Sequence, residues 1–180
     1  MAKGSRPRAP LQGGFLNLHV FAAVCPATGD WNQPAIADTL GNKLKSCGIH
    51  LLRNEVIDVS GLQLLGLDDL WAKQFRVVPY DPDKPSIALS HNPDSVDEPG
   101  WEGFQGWILS GHTHGGQCRF PFGYAPILPV KNKLYSAGAF DLGGGRNLYV
   151  NRGLGYVSKL RFNTRPEVTV FRLVIANPQV

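Results

Sequence analysis

Apolar residues in this chain gather into short runs separated by Gly, Pro and charged residues. The first run, FLNLHVFAAV over Phe15–Val24, reads as a buried strand with its core at HVFAAV. A turn-rich break, CPATGDWN, follows it. Ile36, Leu40 and Leu44 then recur every four residues, which predicts a helix. Asn32 is its candidate N-cap, Pro34 suits the first turn and Gly48 closes the C-terminus. Strands are expected at IHLL, around Glu55 to Val59 and at LQLLGL, and the Ser60-Gly61 turn between the last two predicts a hairpin. A less regular, proline-broken segment through PYDPDKP leads to SIALS, a short strand ending at His91. Asn92-Pro93 stops that strand, and Pro93 to Glu98 starts a short helix. WILSG is a further buried strand, ending at His112. After a long Gly- and Pro-rich loop, GGQCRFPFGYAPILPV, strands are expected at KLYSAGAF, NLYVN and VTVFRLV, with Gly143–Gly145 as a hairpin loop. Strands outnumber helices, so the pattern predicts a layered α/β fold.

The chain has 180 residues, enough for one domain with a real core. Residues 1–14 read as a disordered basic tail and 15–180 as the domain. The 21 Gly and 14 Pro suit many short strands and loops better than a helical bundle. A net charge of +4 favours anionic partners by field alone. The basic residues are scattered and not interleaved with aromatics, so there is no nucleic-acid signature. Three cysteines, Cys25, Cys47 and Cys118, lack CxxC spacing, which argues against a disulfide framework or a Cys-based zinc site. No apolar run approaches the roughly 20 residues of a membrane span, and no apolar segment of a secretory signal follows the basic start. A reducing, cytoplasmic setting is therefore expected.

The chemistry concentrates in histidines. SIALSH and WILSGH each end an apolar strand in a His, and adjacent parallel strands would set His91 and His112 side by side at a carboxyl edge, where α/β sheets form their sites. His114 lies two residues further on. In an extended segment it would project to the same side as His112, and the flanking glycines permit sharp turns. Three imidazoles could then converge, and neutral imidazole suits Zn, Mn, Fe, Co or Ni. His19 and His50 are expected to be core or surface residues. Asp68 and Asp69 close a strand and are expected in a solvated turn, the alternative being that they line the site. Arg119, after GHTHGG, is a candidate to grip phosphate with its fork.

SGHTHGGQ, with LSHNPD roughly twenty residues before it, resembles the C-terminal half of a calcineurin-like metallophosphoesterase of the bacterial SGHTHGGQ subfamily. LLRNEV…LLGLDDLW, LYVNRGLGYV and RPEVTVFRL are similar to it as well, so the likeness runs from about Val20 to Val174. The resemblance implies a two-sheet sandwich flanked by helices, with a pair of divalent metals (Mn, Fe, Zn or similar) at the strand ends. Such a pair, about 3.5–4 Å apart, clamps a phosphoryl group and activates water. It implies hydrolysis of a phosphomonoester, phosphodiester or pyrophosphate, on a phosphorylated small molecule or a phospholipid-type substrate. Matched residue by residue, His91 and His112 resemble ligands of the second metal and His114 a ligand of the first. Arg152 and Tyr156 lie in the NRGLGY segment, which by this resemblance would help shape a pocket.

The sequence departs from the family pattern in its acidic motifs. It holds neither D-x-H nor GDxxD, and CPATG stands where Gly-Asn-His would be, just before Asp30 and Trp31. Metals in such sites take about four to six donors. The expectation is a partial domain lacking the family's N-terminal strands, weakly active alone. A fragment, a shifted reading frame and a second polypeptide supplying the acidic half are open explanations. The alternative is a non-catalytic remnant that binds a metal or a partner chain. Without a neighbour, the strand at Val20 to Val24 would carry an unpaired apolar edge and promote self-association.

Overall fold

A computed structural model describes residues 34–71, 73–156 and 159–174. The expected tail, the strand over Phe15–Val24, the CPATG segment and the Asn32 cap lie outside the described residues.

Helix α1 spans Pro34–Ser46. Gly48 ends it at a left-handed φ of 75°, donating its amide to the Lys45 carbonyl at 2.9 Å, while the Ile49 amide reaches Leu44 O at 3.0 Å. Strands β1 (Glu55–Val59) and β2 (Leu62–Gly66) form the expected hairpin. Ser60 and Gly61 both take positive φ, the conformation whose twist matches paired strands, and Asp58 Oδ1 accepts the Gly61 amide at 2.8 Å.

Four more strands complete one mixed sheet: β3 (Ser86–Leu89), β4 (Gly106–Ser110), β5 (Gly138–Asp141) and β6 (Arg146–Val150). Their order is β1-β2-β3-β4-β6-β5. The inner strands β2, β3, β4 and β6 run parallel, and β1 and β5 are antiparallel edges. Central residues Leu65, Ala88, Ile108, Leu148 and Val150 are fully buried, joined by Val96, Trp101 and Phe104 from the β3–β4 connection. That connection opens with the expected short helix, a 3₁₀ turn over Pro93–Asp97, pinned by Trp101 Nε1 donating to Ser95 O at 2.8 Å. Among the described residues, six strands with few helices are consistent with an α/β architecture.

Three expected strands differ. Among the described residues IHLL joins no ladder of the six-stranded sheet, and His50 forms an isolated β-bridge. Leu52 of the same run packs over Gly66 so closely that a Cβ on that glycine would fall 2.0 Å from Leu52 Cβ. KLYSAGAF is a strand only from Gly138, because Tyr135 and Ser136 are turned back onto Asn132 and Leu134 and serve the loop described below. VTVFRLV forms no strand. Strand propensity needs a ladder partner to be realised, and this segment is tied sideways through its side chains: Thr169 Oγ1 accepts from Asn151 Nδ2 at 2.8 Å, and Phe171 packs edge-on against Tyr149.

Candidate metal centre

Because β2, β3, β4 and β6 are parallel neighbours, their carboxyl ends open on one edge. β2 runs into Asp68 and Asp69, β3 into His91, β4 into His112 and β6 into Asn151 and Arg152. The β3–β4 ladder continues past the strands, with Gly111 N donating to His91 O at 3.0 Å, so register alone sets the two histidines together. His91 Nε2 lies 3.0 Å from His112 Nδ1.

The proton positions on this pair follow from the partners. His112 Nε2 is 2.8 Å from the Pro129 carbonyl, which only accepts, so Nε2 carries the hydrogen. His112 Nδ1 is then a lone pair facing His91 Nε2, which donates to it. A ligating imidazole typically has its other nitrogen held by such a carbonyl. The Pro129 loop is itself held from the β3 side: the buried Asp94 carboxylate accepts the Lys131 and Asn132 amides at 2.7 and 2.9 Å. Asn92 Oδ1 fixes the start of that turn by accepting the Asp94 amide at 2.9 Å. The NPD after His91 thus orients His112.

The environment keeps these rings neutral. Burial pushes the His91 pKa down to about 3, with His112 and His114 adding to the effect. His112 is also lowered by burial, partly opposed by the Pro129 carbonyl and by the charges of Asp69 and Asp94. Trp71 covers His112 edge-on, with ring centroids 4.4 Å apart.

His114 does not join the pair. The chain from Gly111 is not extended. His112 and His114 take left-handed φ of 66° and 49°, and Gly115, Gly116 and Gln117 are left-handed too, so i and i+2 do not project together. Such non-glycine conformations cost about 1–3 kcal/mol each and cluster at functional loops. Between the histidines Thr113 points inward, its Oγ1 donating to Ser136 O at 2.7 Å and accepting the Gly115 amide at 3.1 Å. His114 Nδ1 sits 3.3 Å from Arg161 Nη2. A guanidinium is only a donor, so Nδ1 is an acceptor already engaged by a cation. Burial, followed by Arg161, lowers the His114 pKa. The pair has the donor type and charge state a divalent cation needs, and a cation between the two nitrogens would replace the hydrogen that His91 Nε2 donates to His112 Nδ1. The number of donors is short: among the described residues, no three His, Cys, Asp or Glu side chains are grouped to hold a metal.

The other candidates are placed as follows. Arg119 clamps the loop, Nε donating to Gly115 O and Nη2 to Ser136 Oγ, both at 2.7 Å. It lines a cavity of about 290 Å³ with Tyr149, Arg152 and Glu167, which neither His91 nor His112 lines. Burial opposes ionisation of Glu167, but hydrogen bonds from Tyr149, Thr169 and Arg152 hold its carboxyl down to about 2. Asp68 forms an ion pair with Arg53 at 3.0 Å, whereas Asp69 is half-buried with its charge acting on His112. Asp94 and Arg161 are site neighbours that sequence reading passed over, and Asp69 is one it placed in a solvated turn. A solvated turn is the ordinary fate of Asp-Asp, and nothing local in LRFN points back to GHTH. Tyr156 is exposed.

Replacing Thr113 by Val keeps its shape and strands two backbone groups. An expected loss of about 1–2 kcal/mol of stability would be read from the urea midpoint; an unchanged midpoint would refute the role given to this hydroxyl.

No protein-family model matches the chain, and no solved structure matches it at a significant level. It is similar to phosphodiesterase YaeI of Escherichia coli, 42% identical over 75% of this chain and 51% of that protein. It is 33% identical to UDP-2,3-diacylglucosamine pyrophosphatase LpxG of Chlamydia trachomatis, over 91% of this chain and 54% of that protein. It is 45% identical to the uncharacterized metallophosphoesterase YkuE of Bacillus subtilis, over 51% of this chain and 32% of that protein. The chain spans about half the length of the first two of these relatives.

Proposed function

We infer that this chain, a homologue of the metallophosphoesterases over about half their length, contributes the histidine side of a metal-dependent phosphoesterase site. The likeness to phosphodiesterase, pyrophosphatase and metallophosphoesterase relatives supports a hydrolase of that family, and the family name implies a divalent metal. The observation that carries the reading is the neutral His91–His112 pair at adjacent strand ends, with His112 already oriented by Pro129. His91 and His112 would hold one cation. His114 would contribute only after exchanging Arg161 for metal. Arg119 is a positioning residue for the GHTHGG loop and, through its remaining N–H groups, a contact for substrate phosphate. A bound cation would supply Lewis-acid stabilisation and a hydroxide nucleophile. The chain's own residues keep the imidazoles deprotonated and aimed.

The substrate class is a phosphoester or pyrophosphate, and the diacylglucosamine nucleotide in the name of one relative favours a lipid-borne one. The two-sheet sandwich of the family is part of the same reading. It is supported by the run 168–174, where Val168 and Val170 stand exposed while Thr169 and Phe171 engage β6. Self-association through an apolar strand edge belongs to it too. No helix among the described residues is long and apolar enough to cross a membrane.

A second reading, a remnant that binds metal or a partner chain without catalysis, is favoured by the absence of D-x-H and GDxxD from the sequence. The two separate by experiment. After loading with Mn²⁺ and desalting, the chain is expected to retain a loosely held fraction of one metal. It is also expected to hydrolyse bis-p-nitrophenyl phosphate slowly in excess Mn²⁺ and not at all in EDTA. Metal retention without EDTA-sensitive hydrolysis would establish the second reading in its metal-binding form; neither signal would overturn the enzymatic reading and that form together.

A further inference from the structure

The loop Arg119–Ile127, RFPFGYAPI, presents its apolar residues to solvent. Phe120, Phe122, Tyr124 and Ile127 are all exposed, Phe122 completely at 108%. This is a fixed finger. Phe120 N donates to Tyr124 O at 2.8 Å and Gly123 N to Phe120 O at 3.2 Å, closing a 3₁₀ turn over Pro121–Gly123. Phe122 sits at its tip with φ of 65°, a left-handed conformation that bulky residues rarely adopt. Leu160 and Phe162 extend the apolar surface. They are exposed, and Phe162 pairs by its backbone with the root of the finger, accepting the Arg119 amide at 2.9 Å and donating to Gln117 O at 3.1 Å. Contiguous exposed apolar surface of this kind marks an interaction site.

The stretch of chain that carries it is basic in sequence, although Asp94 and Asp97 from the β3–β4 connection approach it at Lys131 and Asn132. From Gly103 to the end of the chain the sequence holds nine Lys and Arg against two carboxylates, Asp141 and Glu167. Between Gly103 and Phe140 there is no carboxylate. Lys131, Lys133, Lys159 and Arg165, all exposed, flank the two apolar segments in sequence. Exposed aromatic residues on a basic stretch of chain suit the boundary region of an anionic bilayer: rings enter the headgroup layer and cations meet lipid phosphates.

We propose that the Phe120–Ile127 finger seats on the surface of an anionic phospholipid bilayer and so holds the His91–His112 edge against lipid-borne phosphoesters. The docking rests on the finger alone; its purpose rests on the phosphoesterase reading. The two are physically joined. Gly116, four residues after His112, meets the finger's Ala125, where a Cβ would fall 2.3 Å from Ala125 Cβ. Pro129, two residues past Ile127, bonds His112.

The test is co-sedimentation of the purified 180-residue chain, without added metal, with vesicles of phosphatidylcholine alone or mixed 3:1 with phosphatidylglycerol. Binding is expected to be at least tenfold stronger to the mixed vesicles. It should fall at least tenfold in F120S/F122S and return in F120W/F122W. Both side chains are exposed, so the variants should keep the wild-type melting temperature. No wild-type binding, or equal binding by F120S/F122S, overturns the proposal. So does a wild-type dimer that ignores vesicles and dissociates in F120S/F122S, which would assign the finger to a second copy of the chain. Vesicle binding needs neither metal nor turnover. A chain that binds vesicles but never hydrolyses a phosphoester would refute the enzymatic reading and leave the docking intact.

Discussion

Substitution of His91 by alanine is expected to weaken Mn²⁺ or Zn²⁺ binding by at least about 100-fold. Residues that only orient a ligand are worth about 10- to 100-fold in metal affinity, and a donor is worth no less. The loss should be severe here because the described site offers two oriented imidazoles and no third grouped donor. His112→Ala should do the same and also free the Pro129 carbonyl. His114→Ala should have a much smaller effect, since that ring is engaged with Arg161. Isothermal titration on each variant, with near-ultraviolet circular dichroism to establish the fold, gives the comparison. Equal losses for His114 and His91 would mean that Arg161 yields to metal. No loss for His91 would remove the pair from the metal site.

Acid should destabilise the metal-free chain well above the range in which carboxylates titrate. His91 has a folded pKa of about 3 against an ordinary 6.5. The unfolded chain therefore takes up a proton that the folded chain refuses. Stability is fully present above pH 6.5 and declines as pH falls toward 3, at a limiting slope of about 1.4 kcal/mol per pH unit for one group. Between pH 7 and pH 5 His91 alone costs about 2 kcal/mol by that linkage. His112 and His114, lowered in the same direction, add to the loss. Urea denaturation in EDTA across this window measures it, and His91→Ala should flatten the curve. A stability that holds level or rises from pH 7 to pH 5 would show that the rings are solvated and not buried as a neutral pair.

The elements legible in the sequence were those governed by neighbours along the chain. The Ser60-Gly61 hairpin needed only a turn with positive φ between two apolar runs. The Pro93–Asp97 turn needed only Asn-Pro after an apolar strand. SIALS and WILSG could be placed as short buried strands because no charge interrupts them, and their terminal histidines follow from that placement. Among the described residues VTVFRLV pairs with no strand, and IHLL carries a single β-bridge at His50. An apolar or alternating run reports that a segment can pair, while the partner is a matter of what lies beside it. Leu52 found Gly66, and Thr169 found Asn151.

The site divides along the same line. The kind of donor, imidazole, and its position at two strand ends were properties of the sequence, because strand length and local turn chemistry act over a few residues. Which imidazoles meet was decided by tertiary structure. Parallel β3–β4 register sets His91 against His112 across 21 residues, and Asp94 holds the Pro129 loop across 37 and 38. Arg161 engages His114 across 47. These contacts join loops without hydrophobic periodicity through hydrogen bonds to backbone groups, which every residue possesses. Residue identity therefore carries little record of them, and only the folded chain selects the partner.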